Sequence, residues 1–481
     1  MLRQRRGRAL AIMLLAIALI ALSAQAWSAS PPQPALVGAS AVQPASVESS
    51  AWYCTGMTGA TNGLASGTLI MTSTAAASRI VSIRVVNDGG SSAVAKVTIA
   101  ANGSASFEPS SILQGSWLAA DLEVRGGGVA VNQLITGVLG MASAPCMSTV
   151  SHKWVFSTGD TTRGHETYLA LFNPGSKPAV VSDLFLTANG PAAPQPFQAV
   201  VVPAHSTLTQ RIGGFLQNVP DFGTVVNALS GQIAASEIVV SSTASLGLLL
   251  AAGQIEADAE LGIPALSLMD NQRASITIAN PSTKALTARI KPHLRSSGLV
   301  TPWVLHVPAE GIATVVISDS HRIPANDPCS ITIDISGPGA FGSWVSSLPS
   351  GERSSYGGGS SLALSSAAIS DKAVIVAMGL STHPWLDGLA TGQIVVTPLG
   401  ESARTSVVLN RVTRSGRVKT IDLGLMTSGA VRVVEQASDR SGFRLVPVYV
   451  HAIGRVMVGE VLSPTAVPGT ATAVALPIAA P

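Results

Sequence analysis

The groups able to act as acids, bases, nucleophiles or ligands are few and widely spread in this chain. Eight histidines stand at 152, 165, 205, 293, 306, 321, 383 and 451, never at the short spacing that holds a metal on one element. His165-Glu166 lacks the second histidine of a zinc-hydrolase helix, and neither a Gly-x-Ser-x-Gly elbow nor a Ser-x-x-Lys pair occurs. The densest carboxylates are Glu256, Asp258 and Glu260. Strand alternation would put all three on one face, where Ca²⁺ takes several oxygens. With no turn glycine or Asp-x-Asp loop beside them, a solvated edge strand that uses charge against sticking is the stronger reading.

Other motifs read more simply as structure. Arg125-Gly126-Gly127-Gly128 would cradle a phosphate only ahead of a helix, and Val129-Ala130-Val131 reads as a strand, so the run is a hairpin turn. Seven tryptophans offer sugar-stacking faces, but Trp52 and Trp154 open repeats, where a core position is expected. Trp117, Trp303, Trp344 and Trp385 are not spaced as a platform. Arg411, Arg414, Arg417 and Lys419 make a small basic hairpin, either solvated or facing an anionic wall polymer or lipid surface. No catalytic residue, cofactor site or metal site is expected.

The elements that must carry these residues are strands. Charged residues are only 11% of the chain and apolar ones 47%, which excludes a disordered composition and favours an all-β exported protein. The net charge of +3 comes from Arg3, Arg5, Arg6 and Arg8; the remaining 25 basic side chains face 26 acidic ones. Without a basic stripe, nucleic acid is not an expected partner. Those arginines precede the apolar run 9–24, and Ala24-Gln25-Ala26 offers a small-residue cleavage site. Residues 1–27 are therefore a signal peptide or membrane anchor, with the body outside the membrane either way. In that oxidising setting Cys54 and Cys146 flank the first repeat and suit a disulfide between its entry and exit. Cys329 is left as a buried small residue, or as an alternative partner for one of these cysteines or for another chain.

The body repeats one pattern. Tyr168–Phe172 is a strand-length run that stops at Asn173-Pro174-Gly175, and a second run, Ala179–Thr187, leaves it. Asn87, Asn280 and Thr397 mark the same stop elsewhere. From these anchors to Gly103, Gly190, Gly298 and Gly416 the intervals are 16, 17, 18 and 19 residues. Successive anchors lie 86, 107 and 117 apart, a period that fits a sandwich better than a propeller blade. The expected organisation is a flexible stalk (28–50) and tandem Ig-like β-sandwich modules at 51–148, 149–260 and 261–350. A linker with a fourth module (351–463) and a disordered tail (464–481) complete it. Helix is expected only as a turn or two within Ser110–Asp121 and Gly214–Val219.

Trp52-Tyr53-Cys54, Pro145-Cys146, Leu171-Phe172-Asn173-Pro174 and Val202-Pro203-Ala204, behind an Arg-rich leader, resemble an uncharacterised family of actinobacterial cell-envelope proteins. The resemblance covers nearly the whole chain after residue 50, although Thr55 stands where a proline is expected. It implies an extracytoplasmic β protein and brings no catalytic residues. The expected function is a non-catalytic envelope scaffold or binding module, with wall glycan or a membrane protein as partner. A glycan-acting enzyme with a site between modules and a carbohydrate-binding array are the alternatives.

Overall fold

In the computed structural model the described residues are 40–60, 63–296, 300–348, 355–364, 372–375, 390–399, 405–412, 418–436, 448–464 and 471–477. The expected signal or anchor segment, residues 1–27, lies outside them. Three 3₁₀ turns lie among them, at Pro109–Ser111, Gln195–Phe197 and Ser318–Ser320, and Leu364 is helical. The expected helical turn in 214–219 is instead a hydrogen-bonded reversal, with Phe215 N and Leu216 N both donating to Ile212 O.

Four units share one strand order. In the first, eight strands run Ser49–Met57, Ser66–Ser73, Arg79–Asn87, Ser92–Ile99, Ser104–Phe107, Leu118–Arg125, Val129–Gly137 and Gly140–Pro145. Taken in chain order, one sheet is 1-6-3-4 and the other 5-2-7-8. The second unit (Lys153–Gly159 to Leu246–Ala252), the third (Glu260–Leu266 to Ser355–Ser360) and the fourth (Lys372–Ile375 to Ala471–Pro477) repeat both orders. Inward and outward residues alternate, as in Ala179–Thr187, where Ala179, Val181 and Phe185 are buried and Val180, Ser182 and Leu184 are partly exposed.

The repeat is held by the same corner each time. Asn173 ends the second strand of its unit: Oδ1 accepts from Gly175 N at 3.0 Å, and Nδ2 donates to Lys177 O (2.8 Å) and Val202 O (3.0 Å). Asn280 does the same with Ser282 N (3.1 Å), Lys284 O (2.8 Å) and Pro308 O (2.8 Å). The chain then returns through a residue in the left-handed region, His205 (φ 49°) or Glu310 (φ 46°), whose N–H donates to Gly175 O or Ser282 O. In the first unit Ser73 takes the anchor's place: its Oγ accepts from Ala75 N, and the left-handed Asn102 (φ 49°) donates to Ala75 O. The expected anchor Asn87 is therefore one strand too late. It closes the hairpin between Arg79–Asn87 and Ser92–Ile99, accepting from Ser91 N at 2.8 Å. From Ser73 to the left-handed Gly90 is 17 residues, the interval from Asn173 to Gly190.

The turn at residues 125–128, expected to close a hairpin, instead carries the chain between sheets. Leu118–Arg125 and Val129–Gly137, across the glycine run, lie in opposite sheets, and so do Cys329–Ser336 and Phe341–Leu348. A Gly-rich turn reverses the chain but does not choose the partner; burial of each strand's apolar face does. The expected stalk also differs: Val42 is fully buried, and the carbonyls of Gln43 and Glu48 accept the N–H groups of Gly128 and Gly126. A methyl on Gly127 would lie 1.8 Å from Pro44 O. The glycine run therefore lets residues 43–48 lie against the sandwich, and the Gly126 and Gly128 donors are spent there.

The expected linker is the eighth strand of the third unit. Ser355–Ser360 pairs antiparallel with Phe341–Leu348 and parallel with Leu246–Ala252, merging two half-sandwiches into one eight-stranded sheet. Its glycines are needed for close approach: a methyl on Gly358 would lie 2.2 Å from Trp344 O, and one on Gly247 2.1 Å from Tyr356 O. Part of the expected disordered tail, Ala471–Pro477, pairs with Val456–Pro464 and Lys372–Ile375. Its run of Ala, Val and Leu suits a strand that buries Leu476. One apolar cluster joins the first sandwich to Ile238, Leu248 and Leu250 of the second and Val396, Val458 and Leu476 of the fourth. Residues 38–481 accordingly form one compact unit.

Candidate functional site

Cys54 and Cys146 form a disulfide, 92 residues apart with Cα atoms 4.9 Å apart. It ties the first strand of one sheet to the exit from the other. Cys329 is a free thiol buried in the third core, where burial pushes its pKa up to about 12.

The acidic trio does not share a strand face. Glu256 is exposed, Asp258 is buried with Oδ1 accepting from Glu260 N at 3.1 Å, and Glu260 reaches Arg455 of the fourth unit at 2.9 Å. Glu260 is a strut between units, and no cluster of metal-holding geometry is present among the described residues. Trp52, Trp154, Trp303 and Trp344 are buried, and Arg322 covers the Trp303 ring at 4.9 Å. Trp117 is half-buried against Tyr168; Trp27 and Trp385 lie outside the described residues. A stacking platform thus has no exposed tryptophan face among the described residues. Of the basic hairpin, Arg411 stands opposite Lys419 in the ladder and Lys419 is exposed, whereas Arg414 and Arg417 lie outside the described residues.

Two carboxylates are sealed inside the second sandwich. Glu237 is fully buried and accepts from Thr158 Oγ1 (2.6 Å) and Thr224 Oγ1 (2.7 Å). Burial pushes its pKa up to about 7, opposed by those two hydroxyls. Asp183 is 2% exposed, both its carboxylate oxygens lack a hydrogen-bond partner, and burial pushes it up to about 8. Beside Glu237, the buried Tyr356 hydroxyl is driven well above its usual pKa, first by burial and then by Asp160, Asp221 and Glu237. Neither Asp183 nor Glu237 lines either large groove described below.

The larger groove, about 1260 Å³, runs between the third and fourth units. Its floor is the strand Leu286–His293, where Leu286, Ala288, Ile290 and Pro292 point into the core and Arg289, Lys291 and His293 point out. Arg295 follows, and Arg432 comes from the opposite wall. Arg289, Arg295 and Arg432 are exposed, and no carboxylate among the described residues lines the groove. Lys291 forms an ion pair with Asp334 on the neighbouring strand. His293 bonds Thr332 Oγ1 at 2.9 Å; burial, then Lys291, holds its pKa below the usual imidazole value, while Asp334 pulls the other way. A methyl on the left-handed Gly429 (φ 75°) would sit 3.1 Å from the His293 ring, so glycine is what lets the two walls meet. Ser330 Oγ to Thr397 Oγ1 (2.7 Å) and Glu260 to Arg455 fix the units on either side. The Arg289-x-Lys291-x-His293-x-Arg295 alternation was the available sequence signal, obscured because it becomes a site only when the fourth unit supplies a second wall. A second groove of about 770 Å³, between the first and second units, is lined by Tyr53, the Arg84–Asp121 ion pair, Glu123 and the Asn173–Lys177 turn.

The model of a family of unknown function, DUF5719, matches residues 125–322. No curated protein matches the chain. Among solved structures, Thermotoga maritima 1070 is 16% identical with a TM-score of 0.20, over 22% of this chain and 95% of that one. The Anabaena sensory rhodopsin transducer is 21% identical with a TM-score of 0.16, over 18% and 96%. The tetra-tandem repeat in the extending region of a large adhesion protein is 13% identical with a TM-score of 0.10, over 86% and 96%.

Proposed function

We propose that this chain is a non-catalytic protein of the extracytoplasmic cell envelope. It is exported by its N-terminal segment and presents β-sandwiches as a scaffold that binds acidic wall glycan. The supporting observation is the groove between the third and fourth units, where Arg289, Lys291, Arg295 and Arg432 gather with no carboxylate among the described lining residues, in a chain that nears charge balance once the arginines of its first eight residues are set aside. The Cys54–Cys146 bond supports an oxidising compartment. Wall glycan is a better fit than a nucleic acid, because no Phe, Tyr or Trp among the described residues lines the groove to stack a base.

The experiment is fractionation of the native host followed by cosedimentation of the purified protein with isolated wall material. The expected result is an envelope-associated protein, cleaved by protease added outside the cytoplasmic membrane, that sediments with walls at low salt. Recovery in the cytoplasm with reduced Cys54 and Cys146 would refute the reading.

A further inference from the structure

The groove says more about its ligand than its sign. Successive outward residues of a strand lie about 7 Å apart. Arg289 and Lys291 therefore present charges at a regular interval along Leu286–His293, with the edge of His293 next and Arg295 just beyond the strand's end. Arg432 faces this row from the other wall, and Thr301, Thr427 and Ser428 add hydroxyls. A single small anion would leave most of these groups unused. A row of like charges held apart by a rigid strand is matched by a chain whose own charges recur.

We infer that the groove seats a linear polyanion, one charge per repeat unit, laid along Leu286–His293 and pinched by Arg432. Phosphodiester-linked polyols and polyuronates share this chemistry. Arginine grips either anion with two parallel N–H bonds. Asp334 acts as an internal competitor: it holds the Lys291 ammonium, which the polymer must share or displace. The inference rests on the binding role proposed above only for the polymer's source, not for its chemistry.

The test is fluorescence-anisotropy titration of the full chain with labelled oligo(glycerol phosphate) and oligogalacturonate, each short and long, and with single-stranded DNA of equal charge. Longer oligomers should bind more tightly than short ones until the groove is filled. Arg289→Ser and Arg432→Ser should each weaken binding about tenfold and lower the slope of log K against log salt by about one. Both side chains are exposed, so melting temperatures should hold. Asp334→Asn should tighten binding, a gain that misfolding does not produce. The preferred oligomer identifies the source. Equal binding by all three groove variants and the parent chain would overturn the assignment, even if wall material still cosediments. Tighter binding of DNA than of either oligomer would also overturn it. Oligomer binding without wall binding would leave the inference standing and remove the envelope reading instead.

Discussion

Asp183 and Glu237 make the second sandwich sensitive to pH. Both pKa values are raised on folding, Asp183 from 3.8 to about 8 and Glu237 from 4.5 to about 7. Across those windows the folded chain keeps a proton that the unfolded chain has released, so stability falls as pH rises and the loss is complete above the folded values. Asp183→Asn removes the titration while keeping the shape. It should flatten the decline and raise the urea midpoint above neutral pH, where the parent must bury a charge. An unchanged pH profile would show that Asp183 is solvated. At the corners, Glu310 holds a left-handed backbone that costs a non-glycine residue about 1–2 kcal/mol. Glu310→Gly relieves this but adds unfolded-chain freedom, so a net gain of about 0.5–1 kcal/mol is expected, read as a higher melting temperature. Alternation foretells that residue 183 faces inward, but a solvated aspartate is the ordinary expectation. Only the packed core shows that this carboxylate has no partner.

At the scale of elements, the informative strand is Ser355–Ser360. Its Tyr-Gly-Gly-Gly-Ser composition resembles a loop because glycine is poor in strands. It is a strand because two backbones approach where a side chain would stand, at Gly247 against Tyr356 and Gly358 against Trp344. Gly247→Ala should therefore cost about 1–3 kcal/mol by overpacking. Gly214→Ala, whose methyl meets nothing within 4 Å, serves as the control. Equal unfolding midpoints for the two variants would show that the seam tolerates a side chain. The same reasoning explains the anchors. The Asn-Pro-Gly and Asn-Pro-Ser stops were legible because Asn and Gly meet local backbone demands. Ser73 was hidden because a serine accepts the corresponding N–H bond with no distinctive neighbours.

For the whole molecule, the units are not beads. The first apolar cluster draws on three of them, and the fourth is fastened by Arg455 and by Thr397. The C-terminal strand takes part, since Ala471–Pro477 pairs on both sides and buries Leu476. Deleting residues 470–481 should cost about 2–5 kcal/mol, the scale of losing a buried leucine. The fourth unit should then be cut first in limited proteolysis, and a digestion pattern like that of the full chain would count against the strand.

Composition and short-range pattern alone determined an all-β chain with repeated strands, its turn positions and two cysteines placed to bridge the first repeat. Each follows from local rules: alternation, backbone preference at Gly, Pro and Asn, and the placement of two thiols at a repeat's ends. The tertiary structure decided which strands share a sheet, that the glycine segment and the tail are strands, and where cations converge. Those outcomes depend on which apolar faces meet across hundreds of residues, and pairing energy between distant segments leaves no mark on either segment alone.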